Sequence, residues 1–552
     1  MTSPSASGGQ AGATTAPDAA YHSASPDAAP GGQPGRRQRW LAALAWLLSA
    51  VLLFVCYLHI SRTVPSNSDG AANALQAWDM LHGNLLLRGW WLSDVSFYTT
   101  ELPQYMLVEL VRGLNADVVH VAAAITYTLL VLLGALLARG RATGRAAVVR
   151  MLLAAGIMLA PQLGTAAGIL LLSPDHVGSA VPVLVAWLLL DRAPQRWYVP
   201  VLACLLLTWG LVGDEIILYT GFLPLAIVCA IRLYRAIVVR GEPAAEHWYE
   251  LSLILAGLVA AEASARLLVL IHAVGGFLVW PVTAALAVSA QLPRHFAYTG
   301  HGLLVLFGAD FFGMKVGFAA VLLMLHLAGL GLAGWAVCAG VRRFARDNDL
   351  VSQLLVVGVL VNLAAYLLGR RVSDINSTRE FAAVLPFAAV LAGRLLAPQV
   401  IRARMVPVLV LVLAGYLVSL GQAAAAPAAP PMNQQLTTWL AAHGLRYGLA
   451  PYWQANIVSL TTGEHIMVVP VSTATHTAGS LVRRDEWESD EAWYDPRRHN
   501  ANFVVQMIKL SRLPAFLPLA SLDNTFGPPA HSYTVGPFRV LVWHKNLLTR
   551  LG

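Results

Sequence analysis

Charged side chains are scarce in this chain of 552 residues, since only 12% of its residues are Asp, Glu, Lys or Arg. A water-soluble protein of this length needs far more charge to cover its surface. Hydrophobic residues make up 57% of the sequence, and the mean hydropathy is +0.62. Repeated apolar segments, many of them long enough to cross a bilayer, therefore predict an α-helical polytopic membrane protein.

Cysteine is also rare. The four cysteines, which all fall within apolar segments, are Cys56, Cys204, Cys229 and Cys338. Residues 425–552 contain no cysteine. The C-terminal part therefore has no disulfide framework. The formal net charge of +8 comes largely from arginines clustered between apolar segments. Such clusters are explained by orientation in a membrane, and they give no reason to expect a nucleic-acid partner.

About eleven apolar segments are predicted to cross the membrane. They lie at 41–60, 118–138, 151–171, 177–190, 197–213, 216–231, 249–271, 316–340, 350–368, 381–397 and 406–424. The strongest arginine clusters fall on alternate loops, which places the N-terminus in the cytoplasm and, with an odd number of crossings, residues 425–552 outside. Arg370, Arg371 and Arg379 are the exception, because they fall outside together. Residues 272–315 are mixed in composition and leave open a re-entrant segment or a true span.

The two ends of the chain differ from the apolar part, 36–424. Residues 1–35 are rich in Ala, Gly, Pro and Ser, and we expect a disordered cytoplasmic tail. The first apolar segment follows an arginine cluster and has no clear small-residue cleavage site, which favours a retained helix over a signal peptide. Residues 425–552 combine Trp, Tyr, turn residues and β-branched runs such as 465–471, which predicts a small extracytoplasmic α/β domain.

Residues 61–117 form the predicted first exterior loop, called the acidic loop below. It holds Asp69, Asp79, Asp94, Glu101 and Glu109, in a chain that is poor in charge. Carboxylates beside a bilayer are costly unless they are hydrated, paired or bound to a cation, so they are candidates for a functional site. Asp69 precedes a stretch with helical periodicity, and capping of that helix is an open structural interpretation.

Two segments of this loop carry a resemblance to a known family. SDGAANALQAWDMLHGN at 68–84 and TELPQYMLVELVRGLNADVVHVAAAITY at 100–127 resemble the first exterior loop of GT-C glycosyltransferases, in the aminoarabinose transferase and protein O-mannosyltransferase branch. The family moves a sugar from a polyprenyl phosphate to an acceptor hydroxyl at the outer face. The resemblance implies a GT-C-like fold and places Asp69 at the catalytic acidic position. Where relatives often carry a second, adjacent acid, this chain has Gly70.

The resemblance implies roles for the carboxylates. Asp69 is expected to accept the proton of the acceptor hydroxyl, and Asp94 to assist catalysis. A divalent cation, Mg²⁺ or Mn²⁺, held by Asp69 and Asp94 is an open expectation, because hard oxygen ligands suit such ions. Glu101, Asp175 and His176 are expected to line the same substrate cavity. The structural alternatives are an arginine partner for Glu101 and a capping role for Ser173 or Asp175 in the segment 173–176.

A phosphate site is expected at a late loop. Arg379, with help from Arg371, is expected to hold the donor phosphate by bidentate hydrogen bonds. The structural alternative pairs Arg379 with Asp374 or Glu380, or with anionic lipid headgroups.

The sequence therefore predicts an integral membrane glycosyltransferase with a polyprenyl-phosphate sugar donor and a lipid, glycan or protein acceptor. A transporter or flippase of lipid-linked saccharides is one alternative, but no clear internal repeat is present and the acids lie mostly at loop ends. A non-catalytic protein whose exterior domain binds glycan is another. The run at 483–499 is interpreted as a solvated turn region, with an acceptor-glycan site as the alternative.

Overall fold

The structure is a computed structural model that describes residues 36–281, 285–473, 479–508 and 516–551. The predicted tail at 1–35 lies outside the described residues. The chain divides into a first unit that ends at Ser49 and a second unit from Ala50 to Gly552. The described part of the first unit is the beginning of one helix, and every contact reported below lies within the second unit.

Between residues 36 and 424 the described chain is almost entirely helical. The helices are α1 Arg36–Ser61, α2 Ser68–Leu81, α3 Leu102–Arg112, α4 Asp117–Arg139, α5 Gly144–Met158, α6 Thr165–Leu170, α7 Ala180–Arg192, α8 Tyr198–Gly213, α9 Leu223–Tyr234, α10 Trp248–Ala273, α11 Leu292–Leu306, α12 Phe318–Arg343, α13 Leu350–Leu368, α14 Val384–Arg402 and α15 Val406–Ala424. A short strand, β1 Trp90–Trp91, lies between α2 and α3.

Eight helical stretches of the described chain are long and apolar enough to cross a membrane. They are Arg39–Ser61, Asp117–Arg139, Leu218–Val239, Ala244–Ala273, Phe318–Arg343, Leu350–Leu368, Val384–Arg402 and Val406–Ala424. The predicted multi-pass membrane fold is thus confirmed, whereas the count of about eleven is not. Helices α5, α7 and α8, at three of the predicted spans, have 15, 13 and 16 residues, fewer than the ~20 that a span ordinarily needs.

Two predicted segments differ from the observed helices for local reasons. The apolar run at 151–171 is interrupted after α5, because the chain turns at Pro161 and Gly164, where φ is +82°. In the mixed region 272–315, α11 has 15 residues and is not one of the eight long apolar helices. Just before it, Leu278 exchanges backbone hydrogen bonds with the acidic loop at Trp90 and Leu92, at 3.1 and 2.8 Å.

Helix α14 packs against α4, α5, α12 and α13, and nearly every residue from 384 to 397 is buried. A Cβ atom at Gly393 would lie 2.5 Å from the carbonyl oxygen of Arg150, so glycine is required for the close approach of α14 to α5. The start of α14 follows a 3₁₀ helix, Ile375–Phe381, that carries Arg379. The rigidity of α14 therefore helps to position a predicted site residue.

Arg394 is a buried charge on α14. Its Nη2 lies 2.8 Å from Asp191 Oδ1 on α7 and 2.9 Å from Asp349 Oδ2 just before α13, while its Nη1 donates to the Leu137 carbonyl on α4 at 2.8 Å. A buried charge is tolerated when it is paired and hydrogen-bonded in this way. Arg394 therefore joins four helices near the ends of α4 and α7 that are remote from the acidic loop.

The C-terminal part is a small α/β unit, as predicted. Its elements are α16 Gln434–Ala442, β2 Tyr447–Ala450, α17 Tyr452–Thr461, β3 Met467–Thr473, β4 Val482–Arg484, β5 Ser489–Asp490, β6 Phe503–Met507, α18 Leu519–Phe526, β7 His531–Val535 and β8 Phe538–Val542. Six strands form one sheet in the order β4-β3-β2-β6-β8-β7, and β2 is parallel to both β3 and β6.

Both faces of this sheet are covered, because side chains alternate along its strands. In β6, Val504 packs in one apolar cluster with Phe526 of α18, whereas Phe503 and Val505 pack in another with Leu440 of α16. Strand β5 lies outside the sheet and pairs antiparallel with β1, with Asp490 opposite Trp90. The C-terminal part is thereby joined to the acidic loop.

We expect Arg394→Met to lower the stability of the protein, because it removes the buried guanidinium that pairs with Asp191 and leaves Asp191 only its longer contact with Arg192, at 3.4 Å. Removing one partner of a buried ion pair costs about 3–5 kcal/mol. The apparent Tm in detergent should fall clearly, while Arg402→Met, at an exposed position on the same helix, should leave it nearly unchanged. Equal Tm values for the two variants would contradict a structural role for Arg394.

Candidate active site

Asp69 lies in the first turn of α2 but does not cap it. The cap is Asn67, whose Oδ1 accepts a hydrogen bond from the Gly70 backbone N–H at 3.0 Å, so the capping interpretation of Asp69 is wrong. The Asp69 carboxylate instead accepts from Arg379 Nη1 at 3.1 Å and from the Tyr452 hydroxyl at 2.7 Å. The pairing of Arg379 with Asp374 or Glu380 is wrong as well, since its ion pair is with Asp69.

Close packing explains why position 70 is a glycine. A Cβ atom at this position would lie 2.6 Å from Val119 Cγ1 and 3.2 Å from Ser173 Cβ. Helix α4 and the segment 173–176 thus approach the start of α2 too closely for a side chain. The packing of this loop therefore explains why the residue after Asp69 is glycine.

Asp175 lies beside Asp69 and is only 3% exposed. Its carboxylate accepts from Asn73 Nδ2 at 2.8 Å and from Ser173 Oγ at 2.6 Å, and Asn73 lies one turn after Asp69 on α2. Burial raises the pKa of Asp175, the nearby charge of Asp69 raises it further, and Arg379 only partly offsets the rise. The structure thus brings together Asp69, Asp175 and Arg379 from three loops.

His176 follows with a left-handed backbone, φ +61°, which is uncommon for residues other than glycine. The Nδ1 atom of His176 lies 2.9 Å from Asp214 Oδ2, and the same oxygen accepts a hydrogen bond from Ser179 Oγ. Asp214 is only 1% exposed. Burial alone lowers the pKa of His176, but the charge of Asp214 and its hydrogen bond bring the net shift above the ordinary value. Burial likewise acts to raise the pKa of Asp214, and His176 brings it below its ordinary range.

Glu101 is a third buried carboxyl, with 1% exposure. Its Oε2 accepts from Thr100 Oγ1, and its Oε1 has no hydrogen-bond partner among the described residues. The structure pairs it with no arginine within the described ranges, so that alternative is wrong. Burial holds the pKa of Glu101 well above its usual range, and the charges of Asp214 and Asp175 add to the shift.

Arg371, the other arginine expected at the phosphate, forms an ion pair with Asp94, the other expected catalytic acid. Its Nη1 donates to Asp94 Oδ2. Glu380 is close to this pair: burial raises its pKa, and the charges of Arg371 and Arg379 oppose the rise. Asp69 and Asp94 each have an arginine partner. Among the residues that the structure describes, no group of three or more His, Cys, Asp or Glu is placed to hold a metal ion. No finding tests the divalent cation, which stays a prediction.

Two site residues from the C-terminal part were not predicted. Tyr452, the first residue of α17, donates to Asp69 as described above. Glu488 is 5% exposed, with a left-handed φ of +51°, and accepts from Gln76 Nε2 of α2 at 2.5 Å and from the Ser93 N–H at 3.1 Å. The interpretation of 483–499 as a solvated turn is therefore wrong at Glu488. The mixture of acidic and aromatic residues in that run was the one feature of the sequence that could have indicated a site there.

Comparisons with known proteins agree with this architecture. No family model matches the chain, and no curated protein matches its sequence. Its structure is similar to that of ArnT from Cupriavidus metallidurans, solved with undecaprenyl phosphate bound, with a TM-score of 0.53 and 12% identity over 93% of this chain and 99% of that chain. The apo oligosaccharyltransferase of Archaeoglobus fulgidus matches at 13% identity and a TM-score of 0.47, over 85% of this chain and 70% of that one.

At this identity the likeness to ArnT establishes a shared fold. The chain is thus a multi-pass membrane protein with the GT-C-like architecture that the acidic loop predicted. The roles of its site residues rest on the geometry described above.

We expect Glu488→Gln to change the pH dependence of stability. Burial raises the pKa of Glu488 to about 8, above an unfolded value of about 4.3. A buried neutral carboxyl favours folding fully below the unfolded pKa, and this contribution is lost as pH rises toward 8, at about 1.4 kcal/mol per pH unit. Glutamine imitates the protonated form and does not titrate.

The apparent Tm of Glu488→Gln relative to the unsubstituted protein should therefore increase between pH 5 and pH 8.5. Glu486→Gln, at an exposed position two residues before Glu488, is the matched control and should show no such trend. A Tm difference that is independent of pH would show that Glu488 does not titrate in this range.

Proposed function

We propose that the protein is an integral membrane glycosyltransferase that moves a sugar from a polyprenyl-phosphate donor to a hydroxyl of an acceptor outside the cytoplasmic membrane. The observation that carries the proposal is the Asp69 carboxylate, held between Arg379 and Tyr452. The shared fold with ArnT, solved with undecaprenyl phosphate bound, supports a lipid-phosphate donor. A non-catalytic glycan-binding protein would not require Asp69, Asp175 and Arg379 to lie together, as they do here.

Asp69 is the proposed base. Each carboxylate oxygen has about two acceptor sites, so Oδ1 with Tyr452 and Oδ2 with Arg379 each keep one for the acceptor hydroxyl. The hydroxyl proton passes to the carboxylate as the hydroxyl oxygen forms a bond to C1 of the sugar. The bond between C1 and the phosphate oxygen breaks, and the polyprenyl phosphate leaves with the electron pair. Such proton transfer contributes typically 10²–10⁴-fold to a rate.

Arg379 and Arg371 are the proposed phosphate ligands. A guanidinium has five N–H donors, and in each arginine the hydrogen bond to its aspartate uses one nitrogen, Nη1. Their side chains are 34% and 49% exposed, so the remaining donors are accessible to a bound phosphate. Fixed positive charge at this position stabilises the negative charge that develops on the leaving group.

We also propose the orientation of the protein in the membrane. The pairing of Asp69 with Arg379 lies at the ends of helices remote from the arginines that follow α4 and α12, such as Arg141 and Arg346. Arginine-rich loops remain preferentially in the cytoplasm. The N-terminus is therefore assigned to the cytoplasm, and the acidic loop and the C-terminal α/β unit to the exterior.

The substitution Asp69→Asn should abolish most of the transfer. Asparagine keeps an oxygen for Tyr452 but has no basicity, so we expect the rate to fall by about 10²–10⁴-fold. The measurement is analysis of lipid-linked sugars and glycosylated products in a deletion strain that carries each variant at equal expression. Unreacted donor lipid should accumulate.

Glu262→Gln, which removes an exposed carboxylate of α10, is the control and should restore normal products. Full product formation by Asp69→Asn at equal protein level would exclude Asp69 as the base.

A further inference from the structure

A separate cleft of about 390 Å³ lies beside the candidate active site. Its walls are the chain at 62–66 after α1, the start of α4, the linker at 428–433 and one side of α17. The linker is fixed to the opposite wall by a backbone hydrogen bond from Ala429 to the Arg62 carbonyl, at 2.8 Å. Its volume is at the lower end of the range of small-molecule pockets, roughly 300–1,000 Å³.

One wall holds a polar atom that lacks a partner. Gln454 is 3% exposed and lines the cleft, and its Oε1 accepts no hydrogen bond from any described residue. Buried polar atoms are nearly always hydrogen-bonded, so such an exception needs an explanation. A donor supplied by a ligand hydroxyl would satisfy this oxygen, whereas a hydrocarbon chain would leave it unpaired.

The neighbouring residue provides an aromatic surface. Trp453 lines the same cleft and is 40% exposed, although it belongs to a helix that is otherwise largely buried. An indole combines a large apolar face with little conformational freedom, and the cleft is otherwise lined by residues such as Pro431 and Ile457. An aromatic face next to a few convergent polar groups suits a ring that is apolar on its faces and hydroxylated at its edge.

The charged groups of the cleft are already engaged. Arg62 makes two hydrogen bonds of 2.7 Å to Asp117, and the ring nitrogens of His120 lie 2.8 and 3.0 Å from the hydroxyls of Ser61 and Ser66. A phosphate would have to compete with a carboxylate for Arg62. The cleft therefore favours a neutral ligand over an anionic one.

We propose that this cleft binds a neutral sugar ring through Trp453 and Gln454. Trp453 is adjacent to Tyr452, the residue that donates to Asp69, and the two rings pack edge to face with centroids 5.2 Å apart. A sugar in the cleft therefore lies next to the reaction centre. Its assignment as a unit of the acceptor, which makes the acceptor a glycan, rests on the proposed function.

The test is ligand-observed saturation-transfer NMR on the full-length protein in lipid nanodiscs. The probes are methyl α-D-mannopyranoside, methyl β-D-glucopyranoside and methyl β-D-galactopyranoside, each titrated without donor. At least one should show saturable binding that weakens five-fold or more in Trp453→Ala and in Gln454→Leu. Met432→Trp, which fills the cleft from the linker, should remove the binding without altering α17. Trp197→Ala, at an exposed position 73% accessible to solvent, should bind normally.

Asp69→Asn should also bind normally, so a failed transfer reaction and a failed sugar site are distinguishable. The proposal is overturned if none of the three glycosides binds saturably, or if Met432→Trp and Trp453→Ala bind as well as the unsubstituted protein. The proposal is also overturned if undecaprenyl phosphate displaces the bound glycoside from the unsubstituted protein and this displacement is lost in Trp453→Ala. The cleft would then be a lipid site.

Discussion

The Asp69 carboxylate joins three parts of the chain that are far apart in sequence. Arg379 comes from the 3₁₀ turn before α14, and Tyr452 from the first turn of α17, and both donate to this one side chain at the start of α2. In partly dry surroundings such an ion pair is stronger than in water. Neither the helical bundle nor the C-terminal α/β unit forms the site alone, because each provides only one of the two partners.

The surrounding acids differ in whether they have a cationic partner. Among the described residues Glu101 and Glu488 have none, and burial holds their pKa values above the ordinary range. Asp214 is as deeply buried as Glu101 but is paired with His176, and its pKa lies below the ordinary range. Environments that separate the pKa values of similar groups are typical of sites that move protons. Negative charge is thus retained mainly where an arginine or histidine faces it.

The features that depend on local composition were predictable. The apolar runs at 350–368 and 406–424 coincide with α13 and α15, because an uninterrupted apolar run of this length has few other folded states in a membrane. The run at 151–171 contains Pro161 and Gly164, and α5 ends before them, at Met158. The likeness of the acidic loop to GT-C enzymes identified the fold from a few dozen residues.

The contacts of the site were beyond the reach of local patterns. Arg379 and Tyr452 lie 310 and 383 residues after Asp69, and nothing in the spacing indicates their pairing. Glu488 belongs to an acid-rich run that is typical of a solvated turn, yet it is buried because Gln76 and Ser93 of the acidic loop cover it. Burial of this kind is decided by docking between distant segments.

The claim that Arg379 holds the donor phosphate next to Asp69 is tested most directly by a structure of the full-length protein with undecaprenyl phosphate bound. The account predicts a phosphate oxygen about 2.7–2.9 Å from the Arg379 guanidinium, with the Tyr452 hydroxyl still on Asp69. A phosphate bound away from Arg379, with the Asp69–Arg379 pair unchanged, would contradict it.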